Sequence, residues 1–207
     1  MNAKTPSIGF VGGGRISAIL LSALARNPGA MARAVVSDPD PEARRRIWAR
    51  FPGMAVGADN MEPARQDVVF LALHPPALRK ALPEIASALA ASVVVVSLAP
   101  VVTLAELSRL LGGFGRVVRM IPNAPSLVGD GFNPTAYSPA LATQHRALLA
   151  AMAHGAIRLL FESGLPFAEV EDTVPVKPLA DDAPAFANAY RTRLTPLYQK
   201  LTGKADA

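Results

Sequence analysis

The 207-residue sequence contains no cysteine, three histidines and one tryptophan, and only 6% of it is aromatic. The missing cysteine excludes disulfides, thiolate nucleophiles and cysteine-ligated metal. His74, His145 and His154 stand far apart, without the paired spacing of a zinc site, so no metal is expected. Charged residues are sparse at 18%, and the net charge of +5 is spread through alanine-rich sequence. Its one dense run, Arg44 to Arg46, reads as a solvated helix face. With few aromatic platforms and no recognised motif, nucleic acid is not expected as a partner. Apolar runs such as "SVVVVSLAPVV" (92–102) fall short of the roughly 18 residues a membrane span needs. "MNAKTPSIGF" lacks the basic region and longer apolar core of a signal peptide. A soluble, cytoplasmic protein is the expectation. No Ser-His-Asp order, phosphate-binding lysine motif or close carboxylate pair points to hydrolysis or phosphoryl transfer.

What the chain does have is apolar sequence, 51% of it, enough for one full-sized domain. Short β-branched runs at 7–11, 33–37, 67–73, 92–98 and 116–121, with a weaker one at 156–161, alternate with amphipathic stretches. Being apolar on both faces, the runs read as strands of a parallel sheet covered on two sides. Leu78, Leu82, Ile85 and Leu89, and then Leu104, Leu107 and Leu111, recur at helical spacing and mark crossover helices. The pattern is α/β, a Rossmann-like doubly wound and mainly parallel sheet, whose ligands sit at the carboxyl ends of the strands. The domain is expected over residues 1–161. From 162 to 207, Pro166, Pro175, Pro178 and Pro184 give a proline-rich extended arm. A C-terminal helix follows, with Asp181 and Asp182 as its N-terminal cap and Phe186, Tyr190, Leu194 and Leu197 as its apolar stripe. That stripe packs on its own domain or on a second copy, as a homodimer would.

Glycines at 9, 12, 13 and 14 crowd the junction between the first strand and the first helix. Gly12, Gly14 and Ser17 fall on the three positions of the dinucleotide motif: a tight turn, a close approach to pyrophosphate, and a small residue for helix–strand packing. The anion would cap the helix N-terminus near Gly13, Arg15 and Ile16. Asp38 follows Gly14 by 24 residues, at the end of the second strand, where an acidic side chain bonds the adenosine ribose. It equally reads as a turn former in "SDPDPE", and Arg44 lies close enough to take a 2′-phosphate, so NAD and NADP both stay open. His74 is the histidine at a strand end in the crevice. Thr103, with Glu106 three residues on, reads as a helix cap.

Taken in order, "IGFVGGGRISAIL", "DVVFLALHPP", "VVVVSLAPVVTLAEL" and "VVRMIPNAPSLVGDG" resemble the N-terminal domain of the pyrroline-5-carboxylate reductases over about the first 160 residues. The most specific element, Met120 to Pro125 followed by Val128 to Gly131, is similar to the family's "MPNTP...VGEG". The deazaflavin-dependent NADP reductases and the β-hydroxyacid dehydrogenases share the glycine turn more distantly. The resemblance implies hydride transfer from NADP or NAD to an imine-type small molecule. It places Pro122 and Asn123 near the nicotinamide, with Asn123 as the catalytic candidate, and His74, Pro75 and Ala99 along the cofactor crevice. The prolines equally read as a rigid loop and Asn123 as a turn residue. Three departures accompany it: histidine stands for the family's lysine at position 74, Ala99-Pro100-Val101-Val102 replaces "AAGV", and nothing from Glu162 onward matches the family's helical dimerisation domain, which holds the substrate carboxylate. They support a second expectation, a dinucleotide-binding sensor or partner subunit without catalysis of its own.

Overall fold

The computed structural model describes residues 6–26, 28–122, 126, 133 and 135–141. The five apolar runs between residues 7 and 121 each contain a four-residue strand: β1 (Ile8–Val11), β2 (Ala34–Ser37), β4 (Val68–Leu71), β5 (Val94–Ser97) and β6 (Val117–Met120). Two further strands, β3 (Ala55–Gly57) and β7 (Thr135–Tyr137), were not expected. The sheet order is β3-β2-β1-β4-β5-β6-β7, parallel throughout except for the antiparallel β6–β7 pair. The first six strands have the order of a doubly wound dinucleotide-binding sheet, with the direction of winding reversing between β1 and β4.

The connections are α1 (Arg15–Leu24), the single turn α2 (Pro28–Met31), α3 (Pro41–Arg50), the single turn α4 (Met61–Ala64), α5 (Pro75–Ile85) and α6 (Leu104–Leu110). Local chemistry sets their starts. Asp40 accepts from the Glu42 N–H at 2.9 Å with Pro41 in the first turn, and Thr103 accepts from the Glu106 N–H at 3.1 Å, as its spacing predicts. Leu78, Leu82 and Ile85 are fully buried on α5, whereas Leu89 lies beyond the helix, after a short 3₁₀ turn at Ala86–Ala88.

Because successive residues of a strand face opposite sides, the sheet separates two apolar layers. One gathers Phe10, Leu20, Leu24, Val36, Phe70 and Val96; the other gathers Leu71, Leu78, Leu82, Val95, Leu107 and Val117. Phe10 and Phe70 are paired in register on β1 and β4, and their rings stack 4.9 Å apart at 12°. The central strands are thereby pinned beneath the point where the winding reverses.

The expected strand at 156–161, the proline-rich arm and the C-terminal helix lie outside the described residues, as do His145 and His154. Among the described residues no helix is long and apolar enough to cross a membrane, and no group of three or more acidic or histidine side chains could hold a metal.

Candidate functional site

The glycine turn occupies the carboxyl end of β1, directly at the reversal. Gly12 has φ +102°, a conformation that side chains resist, and a Cβ there would lie 2.6 Å from the Ala72 carbonyl oxygen. The backbone itself therefore demands glycine at this position. Its carbonyl is held from below by the buried Ser17 hydroxyl at 2.5 Å, which gives the third motif position a bonding role besides its small size.

Gly14 differs. It is the N-cap of α1 in an ordinary extended conformation, φ −74° and ψ −170°, and a Cβ there would meet nothing within 4 Å. No side chain caps the helix, and its first bond runs from the Ala18 N–H to the Gly14 carbonyl. The leading amides of α1 thus face open space at the positive end of the helix dipole, the arrangement that receives an anion. Arg15 is exposed at the first helical position, and Ile16 is half-buried.

Asp38 follows β2, and its carboxylate is engaged by the backbone. One oxygen accepts from the Gly13 N–H at 2.8 Å and the other from the Asp40 N–H at 2.9 Å. Arg44, which could have awaited a phosphate, instead donates to the Asp38 and Pro39 carbonyls at 2.7 and 2.9 Å. The β2–α3 turn is braced by these contacts.

The remaining strand ends converge on the same edge. His74, exposed, is the N-cap of α5 without a side-chain bond to it, and Pro75 fills the first helical position. Ala99 follows β5 and is 3% exposed, so it offers the crevice backbone rather than side chain. Its neighbour Val101, 61% exposed, is the apolar group that stands out there, a feature that residue type alone does not reveal. Beneath this loop, the buried Arg119 of β6 donates to the Val102 carbonyl at 3.5 Å. Pro122, half-buried, follows β6 at the same edge; Asn123 lies outside the described residues. Gly12 to Ile16, Asp38, His74, Pro75, Ala99 and Pro122 are thus all brought to the carboxyl end of one sheet.

Sequence reading missed the face that α3 turns toward this turn. Arg46 and Arg50 line a cleft of about 550 Å³ together with Gly13, Gly14, Arg15 and Ile47. The signal was present as the spacing of four between the two arginines, but identifying the facing helix required the fold.

Comparison with known proteins agrees with this architecture. Residues 7–100 match the family described as NADP oxidoreductase, coenzyme F420-dependent. The pyrroline-5-carboxylate reductase of Pseudomonas aeruginosa is 34% identical over 128 residues, 62% of this chain and 47% of that protein. That of Escherichia coli is 34% identical over 126 residues, 60% of this chain and 46% of that protein. The chain thus spans about half the length of the curated relatives it matches. Among solved structures, a pyrroline-5-carboxylate reductase from Coxiella burnetii has a TM-score of 0.67 at 21% identity, covering 98% of this chain and 82% of that one. Plasmodium falciparum pyrroline carboxylate reductase, solved with NADP bound, has a TM-score of 0.63 at 16% identity, covering 99% and 81%. Over about three-fifths of its length the chain is thus similar in sequence to the pyrroline-5-carboxylate reductases, and it shares the fold of their solved structures.

Proposed function

We propose that the chain is an NAD(P)-dependent oxidoreductase that transfers hydride between a nicotinamide and an imine-type small molecule, the chemistry named by its relatives. The observation that carries this reading is Gly14, where the fold leaves an uncapped helix N-terminus and no atom where a side chain would be. A fold that does not need glycine at a position, while a pyrophosphate would, fits the bound dinucleotide. The amides of Gly14, Arg15 and Ile16 would hold the pyrophosphate, with Gly12 and Gly13 shaping the turn.

When bound, the reduced nicotinamide supplies the hydride; the protein's part is to orient and to exclude water. His74 and Pro75 would line the crevice after β4, the backbone at Ala99 and the side chain of Val101 would bound it after β5, and Pro122 would fix the approach of Asn123. The Asn123 amide would then orient the carboxamide or the substrate. The sequence between Met120 and Gly131, with its family-like spacing, supports this assignment. The same reading takes residues 1–161 as the dinucleotide domain and 162–207 as arm and helix. It carries a cytoplasmic setting and a homodimer through the Phe186–Leu197 stripe. Beyond those three sequence departures, nothing in the fold or among the relatives favours the alternative of a binding module without catalysis.

The test is calorimetric titration of the full chain with NADPH and NADH, followed by an assay for reduction of 1-pyrroline-5-carboxylate. Binding with turnover is expected. A folded protein that binds neither nucleotide overturns the proposal.

A further inference from the structure

Helix α3 carries arginines on two faces. Arg46 and Arg50 look toward the glycine turn. On the other side Pro41, Arg44, Arg45 and Trp48 follow one another at helical steps of three and four, and with Val56 of the edge strand β3 they line a second cleft, of about 500 Å³. Trp48 is 60% exposed there, one of two large apolar side chains that stand out among the described residues. The arginines beside it keep their charge. Arg44 donates to the neutral Asp38 and Pro39 carbonyls, and Arg45 pairs with Glu42 between two exposed side chains, a contact of little strength. The helix as a whole sets four arginines against one glutamate. An aromatic side chain in a groove receives proline in the extended polyproline conformation, and guanidinium groups beside it favour a segment that is also acidic.

We propose that the α3–β3 cleft is the seat of residues 169–178 of the same chain, "EVEDTVPVKP", with the prolines against Trp48 and the acids against Arg44 and Arg45. Composition singles this segment out. Between 162 and 182 the chain has six acidic residues and one lysine, whereas up to residue 161 basic residues outnumber acidic ones by 16 to nine. Within the segment Glu169, Asp172, Pro175 and Pro178 recur every three residues, the period of a polyproline helix, which would place all four on one edge. That edge has an acidic half and a proline half, as the cleft has a guanidinium half and an indole half. The span is no barrier. Leu141 lies just beyond β7, six strand spacings or about 29 Å from β3. The 27 residues from 142 to 168 cover about 40 Å even as one continuous helix. Because the cleft is on the far side of α3 from the glycine turn, the proposal stands apart from the nucleotide reading.

Trp48 is the single tryptophan of the chain, so its fluorescence reads the cleft directly. The experiment measures emission maximum and acrylamide quenching of the full chain without nucleotide, and of three variants whose fold is followed by circular dichroism. These are Glu169→Gln with Glu171→Gln and Asp172→Asn, then Pro175→Ala with Pro178→Ala, and as a control Asp181→Asn with Asp182→Asn. The native chain is expected to show blue-shifted emission and reduced quenching. Both should move to the values of a fully solvated indole in the acid and proline variants and stay native in the control. Salt at about 1 M, where the Debye length is about 3 Å, should weaken the native shielding, and a synthetic peptide of residues 169–178 should restore shielding to the acid variant. A native chain quenched as freely as the acid and proline variants overturns the inference. So does a control variant that loses shielding to the same degree, since the contact is then a diffuse attraction and not a seated segment. Shielding that vanishes on dilution overturns it as well, because the cleft then belongs to the arm of a second copy.

Discussion

Gly12 and Gly14 look alike in the sequence and answer to different demands. Gly12 is held by positive φ and by the Ala72 carbonyl, so Gly12→Ala should destabilise the protein by roughly 1–3 kcal/mol, seen as a lowered midpoint in urea. Gly14 has ordinary dihedral angles and open space, so Gly14→Val should keep the native stability within about 1 kcal/mol while abolishing nucleotide binding. Loss of binding by a folded Gly14→Val protein is the outcome expected in calorimetry, and retained affinity would refute the turn's assignment. The spacing of the motif was legible from residues 12 to 17, but the division of labour within it was not, because it depends on the Ala72 carbonyl just past β4, sixty residues away. Asp38 makes the same point: its position was legible, whereas its two backbone partners exist only once β1 and β2 lie side by side.

Elements were legible where their pattern was internal. β1, β2, β4, β5 and β6 are β-branched or aromatic runs buried on both faces, and each formed inside its expected span. The two missed strands, β3 and β7, are the two edges of the sheet. Each has three residues, too few to show a period, and each is a strand by virtue of its neighbour's hydrogen bonds. Between helices, Arg79 of α5 donates to Glu106 of α6 at 2.7 Å. That hydrogen bond, aided by the positive charges of Arg79 and Arg109, holds the Glu106 carboxyl below its ordinary range against a smaller opposing effect of burial. Since the folded value is the lower one, the pair contributes stability above the ordinary glutamate range and loses it as pH falls through the lowered value. Arg79→Ala should move the Glu106 titration upward in an NMR experiment and flatten the acid side of the stability profile. The effect on neutral-pH stability should be slight, as for any pair at the surface.

At the scale of the molecule, the doubly wound order was legible from alternation alone, and with it the edge at which a ligand belongs. Which helix faces which turn was not, and this is why the Arg46 face escaped sequence reading. A ligand that binds across β1, β4 and the start of α3 adds contacts to elements already packed together through Phe10, Ile47 and Phe70, so it should stabilise them all. NADPH at a hundred times its dissociation constant should add about 2.7 kcal/mol, raising the melting temperature by roughly 5–11 °C, whereas the Gly14→Val protein should show no such shift.

β7 runs against its one neighbour, β6, and this fixes a distance. Thr135 sits opposite Met120 at the ligand edge, and Ser138 bonds back to Val117 and Gly115 at the other end of the sheet. Leu141 therefore leaves the sheet at its floor. For any later residue to reach the crevice, the chain must climb back the height of a strand, about 13 Å, or some four residues extended and nine as helix. The path from floor to crevice is a minimum tether, and a substrate-binding segment drawn from beyond Leu141 has to be at least that long before its first useful side chain.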